Sequence, residues 1–187
     1  MWYNIPSAFP AEYCQEIIKR LSKKRTKKAE VGGNTNYENV DPNVRVTDVC
    51  FLEEIPWQDP FQDALHRYAD RAIRKANCEW FGFDLSYNEA PQFTVYNSEE
   101  KGFYDWHIDR IDNNHAHPRK LSMSLLLNDS SEYSGGSLEL DCPDIPKHLS
   151  KAGDAVFFPS TLRHRVTPVT EGTRYSLVCW SCGPFVR

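Results

Sequence analysis

Several features that would point to a membrane or to nucleic acid are missing from this sequence. Its 187 residues contain no apolar run long enough to span a bilayer, and its first residues lack the charged and then apolar pattern of a signal peptide. The formal net charge is only -4 and the pI is about 5.9, which does not support nucleic-acid binding. We therefore expect no membrane segment and no nucleic-acid partner.

Internal repeats, low-complexity segments and domain linkers are also missing. A chain of this length can bury its own core without disulfides, so we expect one domain over residues 1–187. Six cysteines without a secretory signal favour free thiols in a reducing compartment, and hence a cytoplasmic location. Cys179 and Cys182 form a lone CxxC pair, which is weak support for zinc or redox chemistry because no second pair accompanies it.

The sequence does contain two helical segments followed by many short strands. Apolar residues recur at helical spacing in segments 10–21 and 60–77, which predicts two helices. Strands are predicted at 44–52, 92–96, 104–109, 121–127, 137–140, 155–158, 164–166 and 174–180. Short strands separated by turn residues are typical of a sandwich or of an open barrel of jelly-roll type. Segments 30–44 and 110–119 are predicted loops, and the pattern leaves open whether they close over a ligand.

Two potential metal ligands lie two residues apart in the predicted strand at 104–109. Side chains at positions i and i+2 of a strand share one face, so His107 and Asp109 can point at one metal ion. Trp106 and Ile108 are then expected to turn the other way, into packing. A metal site needs at least one further ligand from elsewhere in the chain, and His164 is a candidate.

The last two predicted strands carry the remaining charged candidates. Residues 169–173 are predicted to join them as a hairpin. In the second strand, alternation places Arg174, Ser176, Val178 and Trp180 together on an inward face. An arginine on an inward face needs an anion, because an unpaired buried guanidinium is very costly. If His164 is a ligand, that anion would lie beside the metal.

Taken together, these residues resemble a known family. His107, Asp109, His164 and Arg174 occur in the order and spacing of the Fe(II)/2-oxoglutarate dioxygenases, and the segments 133–140 and 158–160 fall in the family's order as well. The match is closest to the prolyl 4-hydroxylase-like branch, which includes bacterial PKHD-type hydroxylases, and it covers residues 92–185. The resemblance implies an α+β, mainly β fold: a double-stranded β-helix (cupin-like jelly roll) at 91–187, supported by N-terminal helices within 1–90.

The resemblance also implies roles for individual residues. His107, Asp109 and His164 would be the iron ligands, which form a facial triad with open positions. Arg174 would bind the distal carboxylate of 2-oxoglutarate through two hydrogen bonds, and Tyr96 would donate a hydrogen bond to the same cosubstrate. The sequence departs from the family's pattern at position 126, where leucine replaces a second cosubstrate-binding tyrosine.

The substrate implied by the resemblance is a prolyl residue of a peptide or protein. Trp180 occupies the position of a tryptophan near the target proline, and Arg119 that of an arginine at the mouth of the site. The expected reaction is hydroxylation of an unactivated C–H bond with Fe(II), 2-oxoglutarate and O2, giving succinate and CO2, with ascorbate as reductant. One alternative is hydroxylation of another residue, a free amino acid or a small metabolite. Another is a non-catalytic cupin-like module that binds a metal or a ligand. The oligomeric state stays open.

Overall fold

The structure, a computed structural model, describes residues 1–23, 27–28, 41–52, 59–109, 117–143 and 149–184. The elements in chain order are β1 (Tyr3–Ile5), α1 (Ala11–Leu21), β2 (Lys27–Lys28), β3 (Arg45–Val46), β4 (Asp48–Phe51), α2 (Pro60–Ala76), β5 (Tyr87–Asn88), β6 (Gln92–Asn97), β7 (Phe103–His107), β8 (Arg119–Leu126), β9 (Tyr133–Gly135), β10 (Leu138–Leu140), β11 (Ala155–Pro159), β12 (His164–Val166) and β13 (Val169–Cys182).

Two antiparallel sheets form the framework of the described part of the chain. The larger sheet has the order β1-β11-β8-β13-β6-β4-β2, and β5 and β9 also pair with β13. The smaller sheet has the order β10-β12-β7-β3. Neighbours in both sheets are distant in sequence, as in a jelly roll. The mainly β fold and the predicted supporting helices are therefore confirmed.

Both helices cover the outer face of the larger sheet. Asp59 caps α2, because its side chain accepts a hydrogen bond from the Phe61 N–H at 2.9 Å. The predicted end at Asn77 is confirmed, since a π-helical turn over Asn77–Phe81 follows α2 directly. The apolar stripes of the two helices and the outward-facing residues of the sheet form one buried core, which includes Cys14, Ile17, Leu21, Leu65, Ala69, Ile73, Phe93, Met123, Leu125, Leu177 and Cys179.

Strand β13 serves both faces of the larger sheet. Leu177 and Cys179 pack into the helix-covered core, whereas Arg174, Ser176, Val178 and Trp180 line a cavity on the other face. This is the alternation that the sequence predicts for residues 174–180. No disulfide joins the six cysteines, all of which lie in the described part of the chain, and both members of the CxxC pair lie on this strand. No helix among the described residues is long and apolar enough to cross a membrane.

The predicted hairpin between the last two strands is wrong. Strand β12 pairs with β7 and β10 in the smaller sheet, whereas β13 pairs with β6 and β8 in the larger one. Residues 169–172, predicted as a turn, already pair with β9 as the beginning of β13. Between the two strands lies Pro168, which lacks the N–H that a continued ladder needs, so the chain crosses from one sheet to the other.

The predicted strand at 104–109 is shorter in the structure and ends at His107. Ile108 is 51% exposed, so the expectation that it turns away from the site into packing is wrong. Trp106 is half-buried on the other side of the strand from the cavity, where the guanidinium groups of Arg163 and Arg165 lie over its ring. The strand therefore ends before Asp109, which is held by contacts outside the ladder.

The turn before β11 gives a test of the fold. Gly153 has φ +92°, and a Cβ built there would lie 2.1 Å from the backbone oxygen of Phe9. We expect Gly153→Ala to lower the free energy of unfolding by about 3 kcal/mol, because backbone strain and a backbone clash add up. Urea unfolding followed by circular dichroism measures this change.

Gly82→Ala is the matched control for Gly153→Ala. Gly82 also has a positive φ of +64°, but a Cβ there meets nothing within 4 Å. Only the backbone strain of about 1 kcal/mol is then expected. Equal losses in the two variants would contradict the clash with Phe9.

Candidate active site

The two candidate histidine ligands face each other across paired strands of the smaller sheet. His107 on β7 is the direct register partner of His164 on β12, and the centroids of their rings are 4.1 Å apart. Asp109 lies two residues beyond β7, where its backbone N–H donates to the Ser160 carbonyl at 3.0 Å. One ligand atom from each of the three residues lies within 4.8 Å of the others. The structure thus brings the predicted triad together.

Backbone carbonyls orient both imidazoles. Nδ1 of His107 lies 2.7 Å from the Asp105 carbonyl oxygen, and Nδ1 of His164 lies 2.9 Å from that of Leu162. A carbonyl oxygen only accepts, so each Nδ1 donates, and this leaves Nε2 as the nitrogen that can bind a metal. Metal-binding histidines are commonly held by such hydrogen bonds. The two Nε2 atoms face the Asp109 carboxylate at 3.6 and 3.5 Å.

These separations suit one metal ion. Ligands about 2.1 Å from an ion and roughly at right angles to one another are about 3 Å apart. The Nε2–carboxylate distances of 3.6 and 3.5 Å are longer than a good N–H···O hydrogen bond. Burial opposes the charge of Asp109, yet His164 and His107 together hold the pKa of its carboxyl well below the usual range. Burial lowers the pKa of His164 and favours its neutral form. Two imidazoles and a carboxylate are the donor set that non-haem Fe(II) takes.

Two serines that the sequence analysis missed support Asp109. The Ser122 hydroxyl on β8 donates to Oδ2 of Asp109 at 2.7 Å, and the Ser160 hydroxyl lies 2.9 Å from that of Ser122. Both serines are fully buried. The alternation of Ser122 and Ser124 with apolar residues in the strand was the available signal, since buried hydroxyls need partners.

Arg174 is a buried cation in the same cavity. It is 1% exposed and pairs in register with Tyr96 of β6. Its Nη1 donates to the Ser176 hydroxyl at 2.8 Å, its Nε has no hydrogen-bond partner, and it forms no ion pair with any residue that the structure describes. A guanidinium in this state needs an anionic partner. The geometry agrees with the expectation that a ligand carboxylate binds here.

Glycine leaves the space that the Arg174 side chain occupies. Gly136 has φ +62°, and a Cβ there would lie 3.0 Å from Cδ of Arg174 and 2.9 Å from Val169. Gly135, with φ +74°, approaches the Pro168 carbonyl so closely that a Cβ would lie 2.1 Å from its oxygen. The Gly-Gly pair therefore lets the 133–137 segment cross over the base of Arg174.

The cavity lies between the two sheets and has a volume of about 410 Å³ including its open mouth. The larger sheet contributes Tyr96, Ser124, Phe158, Arg174, Ser176, Val178 and Trp180, and the smaller sheet contributes Arg45, Tyr104, His107, Leu138, His164 and Val166, with Asp109 beyond β7. The guanidinium carbon of Arg174 lies 5.4 Å from the centroid of the Tyr96 ring. Leu126, where the family has a tyrosine, is buried as the register partner of Ser176.

Comparisons with known proteins agree with this geometry. The sequence model of the 2OG-Fe(II) oxygenase superfamily matches residues 91–182. A PKHD-type hydroxylase of Delftia acidovorans is 31% identical over 160 residues, which cover 70% of this chain and 69% of the relative. The chain belongs to the 2OG-Fe(II) oxygenase superfamily, with PKHD-type hydroxylases as relatives. Three other PKHD-type hydroxylases match 48% of this chain, but the match spans only 36 to 41% of their own length.

Solved oxygenase structures share the fold. A Pseudomonas putida prolyl-4-hydroxylase has a TM-score of 0.74 at 21% identity, covering 98% of this chain and 93% of its own. A prolyl hydroxylase from Trichoplax adhaerens, solved with a peptide fragment of hypoxia inducible factor, has a TM-score of 0.75 at 15% identity. It covers 96% of this chain and 82% of its own. At these identities the likeness concerns the fold alone.

Arg119 and Trp180 lie together beside the candidate metal site. The guanidinium of Arg119 is 3.8 Å from the centroid of the Trp180 ring, and it forms a two-pronged ion pair with Glu89 at 2.7 and 2.5 Å. The Trp180 indole N–H is close enough to help lower the pKa of Asp109, but it makes no hydrogen bond of normal geometry. Glu89 thus already balances the charge of Arg119. A substrate role for Arg119 or Trp180 stays a prediction.

A bulge in β7 brings Tyr104 into the site. Val166 pairs with Tyr104 and His164 with His107, so two residues of β7, at 105 and 106, oppose the single residue of β12 at 165. The bulge turns Tyr104 to the same side as His107, and the two rings stack at 3.4 Å with an interplanar angle of 12°. Burial raises the pKa of Tyr104 to about 12. Strict alternation would have placed Tyr104 with Trp106.

The predicted loops are described only in part. Residues 29–40 and 110–116, including His115, lie outside the described residues. His117 is described, and its Nδ1 lies 3.1 Å from the Ser86 hydroxyl. It is not among the described residues that line the cavity.

Metal affinity tests the donor set and its support. We expect Asp109→Ala to abolish tight binding of Fe(II) or Mn(II), and Ser122→Ala to weaken it about 10- to 100-fold, because the serine orients the carboxylate. Calorimetric titration of metal-free protein measures both. Ser131→Ala, which removes an exposed hydroxyl that does not line the cavity, is the control and should bind metal like the parent. Undiminished affinity of Asp109→Ala would rule out this donor set.

Proposed function

We propose that this protein is an Fe(II)- and 2-oxoglutarate-dependent dioxygenase that hydroxylates an unactivated C–H bond, with a prolyl residue of a peptide or protein as the favoured substrate. One observation carries the proposal. The cavity combines a His-Asp-His donor set with Arg174, a buried guanidinium that has no acidic partner among the described residues. A metal beside a carboxylate-binding arginine is what a chelating dicarboxylate needs.

His107, Asp109 and His164 would hold the iron, and Arg174 and Tyr96 would bind the distal carboxylate of 2-oxoglutarate. Iron with 2-oxoglutarate and O2 supplies the oxidising power for hydroxylation, with succinate and CO2 as coproducts. The protein fixes the geometry: backbone carbonyls hold the imidazoles, and Ser122 holds the carboxylate. Phe158, Val178 and Leu138 form apolar walls that limit water around the reacting groups.

The prolyl substrate rests on likeness and on the mouth of the cavity. Trp180 presents an aromatic face held by Arg119, and one solved protein of the same fold is a prolyl hydroxylase with a peptide bound. We further propose that residues 1–187 act as one domain, since β1 near the N-terminus pairs with β11 in the core sheet. Ascorbate as reductant and a cytoplasmic location belong to the same proposal.

Release of succinate separates this proposal from a non-catalytic cupin-like module. Incubation with Fe(II), 2-oxoglutarate and ascorbate should yield succinate, and the correct substrate should increase its rate. Mass spectrometry of proline-containing peptides, free proline and other amino acids should then show a gain of one oxygen in one class. If no condition gives succinate and His107→Ala leaves the metal content unchanged, the proposal fails.

The role of Arg174 can be tested through the cosubstrate requirement. Arg174→Ala removes one partner of a buried charge pair, so we expect the KM for 2-oxoglutarate to rise at least about 30-fold. Arg74→Ala removes an exposed, ion-paired arginine of α2 and should leave this KM unchanged. Thermal unfolding checks that both variants are folded. An unchanged KM in folded Arg174→Ala would refute the assignment.

A further inference from the structure

The cavity contains a second buried arginine that the proposed reaction does not use. Arg45 on β3 is 8% exposed and lines the cavity together with Tyr104 and Trp180. Its Nη2 donates to Oε1 of Gln92 at 3.2 Å, and its Nε has no hydrogen-bond partner. It takes part in no ion pair within the described ranges of the chain. No described residue therefore balances its positive charge.

Arg45 lies close to the metal ligands. The Tyr104 ring is stacked on His107 at 3.4 Å, and the Arg45 guanidinium carbon lies 4.4 Å from the centroid of the same ring. Because the imidazole covers one face of the phenol ring, the guanidinium must lie on the other. Arg45 is thus separated from a candidate iron ligand by the thickness of one aromatic ring, within reach of a molecule bound at the metal.

Arg45 and Arg174 lie at different positions in the cavity along the strands of the larger sheet. Arg174 is in register with Tyr96, whereas Arg45 contacts Gln92, which is in register with Val178. Four residues of strand separate these two rows, which is about 13 Å. Arg45 therefore lies toward the end of the cavity formed by Val178 and Trp180, away from the Arg174 end.

With a metal and 2-oxoglutarate bound, the charges of the site would cancel without Arg45. A divalent metal, the Asp109 carboxylate, dianionic 2-oxoglutarate and Arg174 together carry no net charge. Among the described residues that line the cavity, Asp109 is the only carboxylate. Arg119 differs from Arg45 in this respect, because Glu89 balances its charge through two hydrogen bonds. The contacts of Arg45 with an amide oxygen and an aromatic face supply no negative charge.

We propose that Arg45 binds a carboxylate of the substrate, so that the molecule to be hydroxylated carries a free carboxylate near the reacting carbon. This inference rests on the proposed function and narrows its substrate class to molecules that carry a free carboxylate close to the carbon to be hydroxylated. The carboxylate can come from a free amino acid, from a C-terminal residue or from an acidic side chain next to the target. An internal residue with neutral neighbours lacks the group that Arg45 needs.

Matched acids and amides test the proposal without any variant. N-acetyl amino acids, including N-acetyl-L-proline, are compared with their carboxamides for stimulation of succinate release. Peptides with the same residue internal, C-terminal or next to an aspartate distinguish the three sources of the carboxylate. Compounds that stimulate should be acids, with the amides at least about 10-fold weaker. Equal stimulation by an acid and its amide would overturn the inference and leave the oxygenase assignment intact.

A binding measurement gives a readout that is independent of turnover. Zn(II) has no redox chemistry, so protein loaded with Zn(II) and 2-oxoglutarate binds substrate without consuming it. Arg45→Met keeps the length of the side chain and removes its charge; calorimetry should show the Kd of the acid rising about 10- to 100-fold, with that of the amide unchanged. The affinity for 2-oxoglutarate should stay the same, because Arg174 is intact.

Two further variants complete the experiment. Arg45→Lys keeps the charge and should retain part of the preference for acids, which a purely structural role would not predict. Arg74→Met, on the exposed face of α2, is the matched control and should behave like the parent. If Arg45→Met weakens acid and amide equally, Arg45 only supports Tyr104 and the inference is wrong. Absence of succinate under every condition would instead defeat the proposed function, while the calorimetric comparison would still judge Arg45.

Discussion

The pairing of His107 with His164 is the constraint on which the site depends. Two imidazoles can serve one ion only if the smaller sheet holds β7 and β12 in this register. A slip of one residue would turn one of the histidines to the opposite face. The Asp109 backbone, bonded to Ser160, then sets the third ligand relative to a strand end. Sheet hydrogen bonds thus fix the positions of the three candidate ligands relative to one another.

Buried charge is the second constraint, because each buried charged group in the cavity needs a compensating partner. The Asp109 carboxylate accepts a hydrogen bond from Ser122 and faces two imidazoles. Arg119 is balanced by Glu89 outside the cavity. Arg174 and Arg45 have no such partner among the described residues, although both are almost fully buried. An unpaired buried charge lowers the stability of the folded protein, so an anionic ligand beside Arg174 or beside Arg45 would raise it.

Sequence reasoning succeeded where the structure is regular. Along β13 the alternation is unbroken, so the inward set from Arg174 to Trp180 could be read from parity alone. It failed where one residue breaks a period: the bulge in β7 hid Tyr104, and the crossing at Pro168 was taken for a hairpin. Arg45 lies on a strand of two residues, which is too short for any pattern to give its direction. Short strands depend on partners that only the fold supplies.

The double duty of β13 has a consequence for finding the natural ligands. One face of this strand packs against the helices, and the other forms the cavity wall opposite the smaller sheet. A molecule that bridges Arg174 or Trp180 to the opposite wall ties the two sheets together. It binds the folded state and not the unfolded chain, so it raises the melting temperature by mass action. Heat resistance of the whole molecule can therefore report occupancy of this cavity, and metabolite mixtures can be searched without knowledge of the reaction.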